Sequence, residues 1–124
     1  MTSQEMYREH ILDLYKNPHN FGEIKNCTHS HKEFNPFCGD EITIYLILKD
    51  NKIEDVKFKA GGCAISIASA SLLTDKIKGM KLNEIENIKS KNVIEMLNIP
   101  ISSVRMKCAL LPMDALNGAI NKEE

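Results

Sequence analysis

The stretch Ile42-Thr43-Ile44-Tyr45-Leu46-Ile47-Leu48-Lys49-Asp50-Asn51-Lys52-Ile53-Glu54-Asp55-Val56-Lys57-Phe58-Lys59-Ala60 decides the fold. Ile42, Ile44, Leu46 and Leu48 alternate with Thr43, Tyr45, Ile47 and Lys49, the two-residue period of a strand with one buried face. Asp50-Asn51 makes a short turn. Ile53, Val56, Phe58 and Ala60 then carry a second strand, with Lys57 and Lys59 on its opposite side. The pair reads as a β-hairpin whose register is fixed by its single apolar face.

On the N-terminal side, residues 24–34 alternate weakly and are expected to add an edge strand containing Cys27. Before them, residues 3–16 read as an amphipathic helix with Ser3 as its N-cap. Met6, Tyr7, His10, Ile11, Leu14 and Tyr15 recur there at helical spacing, and Asn17-Pro18 ends the helix. On the C-terminal side, Gly61-Gly62 breaks the second strand. A helix over 64–78 follows, with one stripe of Ile65, Ala68 and Leu72 and another of Ile67, Ala70, Leu73 and Ile77. Two apolar stripes imply packing on two sides. Gly79 is its expected C-cap. Residues 81–97 read as one or two short helices turning Leu82, Ile85, Ile88, Val93 and Leu97 inward. Residues 98–103 connect, and a last helix is expected over 111–120, with Pro112 in its first turn. The order predicts an α+β fold, a small antiparallel sheet of about three strands packed against helices.

The chain has 124 residues, which fits one domain over 1–124. Hydrophobic residues make up 43%, enough for a packed core, and the formal net charge is -1. That near-balance argues against a nucleic-acid or membrane-surface binder, although Lys57, Lys59, Arg105 and Lys107 can form a local basic rim. Charges run through residues 1–20, so no secretory signal or membrane span is expected there, and a reducing cytoplasm is the expected setting. No glycine-rich phosphate loop is present, and no histidine lies near Cys38, Cys63 or Cys108 in sequence. His29 and His31 share one face of the edge strand and are read as solvated.

Three cysteines stand at the expected joints between elements: Cys38 in Asn35-Pro36-Phe37-Cys38-Gly39-Asp40, Cys63 in Gly61-Gly62-Cys63-Ala64, and Cys108 in Arg105-Met106-Lys107-Cys108-Ala109. Thiols at element ends can converge, and with the carboxylate of Asp40 they make a four-ligand set for a soft transition metal. Cys63 and Cys108 are both expected just before a helix, where free N–H groups favour a thiolate, and Lys107 adds a cation beside Cys108. Gly39 allows the bend that turns Cys38 and Asp40 toward one point. Asp40 has a rival role as a turn or capping residue. Cys27 lies in no such motif and reads as a buried hydrophobe. The spacing is not that of a zinc finger: 25 positions separate Cys38 from Cys63, and 45 separate Cys63 from Cys108.

Taken in order, Asn-Pro-x-Cys-Gly-Asp, Gly-Gly-Cys-Ala-Ile-Ser and Arg-x-Lys-Cys-Ala resemble the U-type iron–sulfur cluster assembly scaffolds, the IscU, SufU and NifU N-terminal family. The likeness is collinear and includes Asn17-Pro18-His19-Asn20-Phe21-Gly22 after the first helix. It implies a NifU/IscU-like fold and a scaffold that takes sulfur from a cysteine desulfurase and iron from a donor. Such a scaffold assembles a transient [2Fe–2S] cluster and passes it to apo iron–sulfur proteins. It implies Cys38, Asp40, Cys63 and Cys108 as ligands to cluster or Zn2+, and Cys108, supported by Lys107, as the first candidate to accept a persulfide. It leaves open whether chains pair or form trimers around a cluster.

Two departures bear on mechanism. Lys107 stands where the IscU branch has histidine, and an ammonium has no lone pair for a metal. Lysine there is similar to the SufU branch, but the insertion SufU proteins carry between the second and third cysteines is absent. Ile101-Ser102-Ser103-Val104-Arg105 replaces the Leu-Pro-Pro-Val-Lys segment read by an Hsp70-type chaperone, so the resemblance gives no support to that partner. Two other readings stand beside the scaffold: a zinc-dependent sulfur-transfer protein of SufU type, and a structural zinc domain that binds a protein partner.

Overall fold

The computed structural model describes residues 3–36 and 39–121. Helix α1 (Ser3–Lys16) leads to strands β1 (His29–Asn35), β2 (Asp40–Lys49) and β3 (Lys52–Gly61). Helices α2 (Ala64–Ile77), α3 (Leu82–Ile85), α4 (Ser90–Leu97) and α5 (Ser103–Ile120) follow. The strands form one antiparallel sheet in the order β1-β2-β3, the expected α+β arrangement.

The β2–β3 turn has both Asp50 and Asn51 at positive φ, 55° and 61°. That is the tight-hairpin geometry asparagine and aspartate tolerate. The register slips between Ile47 and Leu48, so Leu48 faces Ile53 while Ile47 faces Asp55. This bulge explains why Ile53 and Val56 stand three apart and yet are both fully buried.

Helix α2 is covered on both sides. Ile67, Ala70, Leu73 and Ile77 join the sheet residues Ile42, Ile44, Leu46, Val56 and Phe58 in the larger core. Ala68, with Ile65 and Leu72 alongside, packs against Ile11 and Leu14 of α1, Leu97 of α4 and Ala109 of α5 in a second core. The two stripes expected from the sequence are these two faces. The 17–22 segment is a strap along the open edge of β3. Asn20 C=O accepts from Phe58 N–H and Gly22 N–H donates to Phe58 C=O. The strap is tied to α2 by Asn20 Nδ2 to Thr74 Oγ1 (2.9 Å) and Asp75 Oδ1 (2.8 Å). His19 Nδ1 lies 2.6 Å from Asp75 Oδ2. An edge strand that would otherwise offer free backbone groups is thereby closed.

Several local expectations are corrected. Ser3 begins α1 instead of preceding it. His10 and Tyr15 face solvent, leaving Ile11 and Leu14 as the buried stripe among the described side chains. The edge strand starts at His29, so Cys27 lies in the turn before it, its N–H donating to Ile24 C=O. His31 is half-buried, not solvated. It lies against Gly118 of α5, where a Cβ would overlap its ring. The largest difference is α5, which begins at Ser103, eight residues before the expected start, and runs through Pro112. Ser102 caps it, Oγ accepting from Arg105 N–H at 3.3 Å. Pro112 has no N–H for the carbonyl four residues back. One residue later, the Ala109 carbonyl takes a 2.6 Å hydrogen bond from Ser69 Oγ of α2. The neighbouring helix thus steadies the proline turn, and α5 continues.

Gly118→Ala is expected to destabilise the protein by about 1–3 kcal/mol, the usual cost of overpacking. In a His31→Ala background most of that loss should vanish. Urea unfolding of the two single variants and the double variant reads this directly, and an equal loss in both backgrounds would refute the contact.

Candidate metal centre

The start of β2, the start of α2 and the second turn of α5 meet at one place. Asp40 is the first residue of β2 and is 2% exposed. Cys63 is the N-cap residue of α2 and half-buried, and Cys108 projects from the second turn of α5 and is 1% exposed. One carboxylate oxygen of Asp40 and the two sulfurs all lie within 4.8 Å of one another. Neither Cys63 nor Cys108 is in a disulfide. The donor set of two sulfurs and one hard oxygen, one of them half-exposed, fits a zinc ion or the iron of a cluster. Cys38, the remaining expected ligand, lies outside the described residues.

The carboxylate of Asp40 is held from two sides. Oδ1 accepts the Cys63 N–H at 3.1 Å. Oδ2 accepts the Ser66 hydroxyl at 2.6 Å, and the Cys63 thiol points at the same oxygen from 3.5 Å. Asp40 therefore supplies, from another element, the cap the first turn of α2 lacks. The rival role considered for it, capping, and the ligand role fall on the same atoms. Gly62 makes the approach possible: a Cβ there would overlap Oδ1.

Arg105 lies one turn before Cys108 on α5, on the same helix face. Cys63 first, by charge and hydrogen bonding, and then Cys108 push its guanidinium above the ordinary arginine value. Arg105 thus sets an exposed cation within electrostatic reach of both sulfurs. In sequence Arg105 reads as the first residue of the Arg-x-Lys-Cys-Ala motif and as part of a basic rim, with no role at the sulfurs. The i, i+3 relation to Cys108 would have marked it, had the helix been started at Ser103. The same error misplaced Cys108, which is a buried mid-helix thiol and receives nothing from a helix N-terminus. Lys107 is exposed and lines a shallow cleft with Glu33, Asn35, Pro36, Leu111 and Asp114. In that cleft, partial desolvation and then the charge of Glu33 raise the Asp114 carboxyl above its usual range. Cys27 is no part of the metal-ligating group found among the described residues.

The chain is similar to several known proteins. Residues 6–123 match the model of the NifU-like N-terminal domain family. Two Archaeoglobus fulgidus proteins, named iron–sulfur cluster assembly scaffold protein IscU 1 and IscU 2, are each 40% identical over 115 residues. The alignments cover 93% of this chain and 74% of each relative. The Escherichia coli K12 scaffold protein IscU is 37% identical over 118 residues, 92% of this chain and 91% of that one. The crystal structure of a protein from Fervidobacterium islandicum AW-1, described as a cluster assembly scaffold of the SUF system, superposes with a TM-score of 0.79. It is 31% identical, over 97% of this chain and all of that one. Among the described residues, no helix is long and apolar enough to cross a membrane.

Gly62→Ala is expected to push Asp40 off its position and weaken zinc binding by about tenfold or more, since a 1.4 kcal/mol distortion suffices for that. Competition titration against a chromophoric chelator measures it; unchanged affinity would remove Gly62 from the site.

Proposed function

The chain belongs to the NifU-like N-terminal domain family, and from that membership we propose that it is a scaffold on which iron–sulfur clusters are built and then passed to recipient proteins. The observation that carries this reading is the convergence of Asp40, Cys63 and Cys108 from three separate elements. Cys38 is assigned as the third thiolate. It stands two residues before Asp40 in sequence, a chain reach of at most about 7 Å. The proposed cargo is a [2Fe–2S] cluster held by Cys38, Cys63, Cys108 and Asp40, and the proposed partners are a cysteine desulfurase, an iron donor and apo iron–sulfur proteins.

Sulfur enters by thiol exchange. A cysteine thiolate of the scaffold attacks the outer sulfur of the desulfurase persulfide, a new S–S bond forms, and the desulfurase cysteine leaves as thiolate. Cys108 is the proposed acceptor, with Arg105 beside its sulfur and Lys107 next in sequence as supporting cations. Because Cys108 is buried, the approach runs past half-exposed Cys63. One carboxylate among three thiolates is a harder donor than clusters held for electron transfer normally have, which suits a cargo that must leave.

A second reading, zinc-dependent sulfur transfer at the same four residues, is favoured by Lys107, the residue before the third cysteine. Anaerobic incubation with iron, cysteine and a cysteine desulfurase separates the two. The scaffold reading expects a visible cluster spectrum, lost on replacing Cys38, Cys63 or Cys108, and transfer to an apo-ferredoxin. Tightly held zinc, no cluster and faster desulfurase turnover would overturn it in favour of sulfur transfer.

Asp40→Ala is expected to slow cluster release to the apo-ferredoxin several-fold. It should also cost about 1–3 kcal/mol of stability, because the Cys63 amide and Ser66 hydroxyl lose their acceptor. Transfer at the wild-type rate or faster would exclude Asp40 as the labile ligand.

A further inference from the structure

Ser66 stands in the first turn of α2, is 2% exposed, and touches two members of the metal-ligating group at once. Its Oγ is 2.6 Å from Asp40 Oδ2 and 3.6 Å from Cys63 Sγ. The hydroxyl has one proton to donate, so it serves one of these acceptors at a time. In the arrangement seen, the short contact is to the carboxylate, a charge-assisted hydrogen bond of the stronger kind. The two carboxylate oxygens are not equivalent. Oδ1 is tied to a backbone amide and lies under Gly62. Oδ2 accepts from two side chains, the Ser66 hydroxyl and the Cys63 thiol.

We propose that Ser66 decides when Asp40 acts as a ligand: its hydroxyl holds Oδ2 back from a metal and turns to Cys63 Sγ once that sulfur is a metal-bound thiolate. The inference rests on the reading of Asp40, Cys63 and Cys108 as metal-holding. A metal-held Cys63 would be a thiolate, and its sulfur would accept a hydrogen bond. Oδ2 then leaves Ser66 for the metal, and Ser66 rotates its proton to the sulfur 3.6 Å away. A strong hydrogen bond is exchanged for a weaker one. Each time Asp40 binds, part of the gain is given back, and each time it lets go, Ser66 is ready to take it. Ser66 is a positioning residue: it acts on the cargo through Asp40 and Cys63.

Removing the hydroxyl removes the competitor. Cobalt(II) titration of the full chain, with its sulfur-to-cobalt charge-transfer bands, tests this. Ser66→Ala is expected to bind cobalt about tenfold more tightly than the wild type, equivalent to about 1.4 kcal/mol. Its charge-transfer band should move to lower energy, because Cys63 Sγ no longer accepts a hydrogen bond. In an Asp40→Ala background the same substitution should no longer tighten binding, a result that a general packing effect would not give. Alanine is smaller than serine and a better helix former, so the metal-free fold is expected to survive the substitution. Unchanged or weaker cobalt binding in Ser66→Ala overturns the inference alone, as does equal tightening in the Asp40→Ala background. A wild-type chain whose cobalt uptake is indifferent to Cys63→Ala overturns both this inference and the metal-holding reading beneath it.

Discussion

Helix α2 is clamped between two hydrophobic cores, and the other elements take their places from that clamp. Its sheet-facing side carries branched and long aliphatic residues that fill the space over β2 and β3. Its other side, centred on Ala68, lets α1 and α5 come close. A helix enclosed in this way has little freedom to slide, so the residue at its start, Cys63, is fixed in space as firmly as the core is. The strap at 17–22 adds a third restraint, because Asn20 and His19 hold Thr74, Asp75 and Ser71 near the far end of the same helix. The loop after β3 and the first turn of α2 therefore present Cys63 to Asp40 and Cys108 without a metal having to gather them.

The sheet and α2 were legible because their signals are periodic and uninterrupted. The alternation in Ile42–Leu48 and the double stripe in 65–77 each admit one arrangement, and each is found. The elements misread were those where one residue type was allowed to overrule its context. Pro112 reads as a first-turn residue, although Ser102, three residues before Arg105, is an equally local signal for a start eight residues earlier. Tertiary contact decided the matter: Ser69 of α2 hydrogen-bonds a carbonyl of α5 beside the proline, a partner no local pattern reveals. The edge strand was drawn too long for the opposite reason. Residues 24–28 are polar and weakly alternating, and only pairing with β2 shows that the ladder begins at His29.

Of the site, the residue types were legible and their physical settings were not. Asp40 and Cys63 were placed at element ends, where they are. Cys108 was placed at a helix start and is instead buried in the second turn of α5. The cation beside the sulfurs is Arg105, which a helix begun at Ser103 puts one turn from Cys108. Ser66 closes the Gly-Gly-Cys-Ala-Ile-Ser motif, but the motif gives it no role, since a serine inside a helix rich in small residues looks like a packing choice. What distinguishes it is distance, 2.6 Å to a buried carboxylate that belongs to another element.

That distance joins folding to function. A buried carboxylate needs donors, and here the donors are the amide and hydroxyl at the start of α2, which themselves need an acceptor. The exchange is stabilising for the fold, and it also makes Asp40 expensive to recruit, because any metal must replace what α2 already supplies. A site built from cysteines alone would lack this competitor, because sulfur is a weaker hydrogen-bond acceptor than a carboxylate oxygen and a good ligand to soft metals. Placing the one hard ligand inside the capping network of a clamped helix weakens the hold on the metal without weakening the scaffold around it. A protein that must keep its shape while its cargo arrives and departs requires that separation, and the pairing of Asp40 with Cys63 and Ser66 supplies it within four residues of α2 and one of β2.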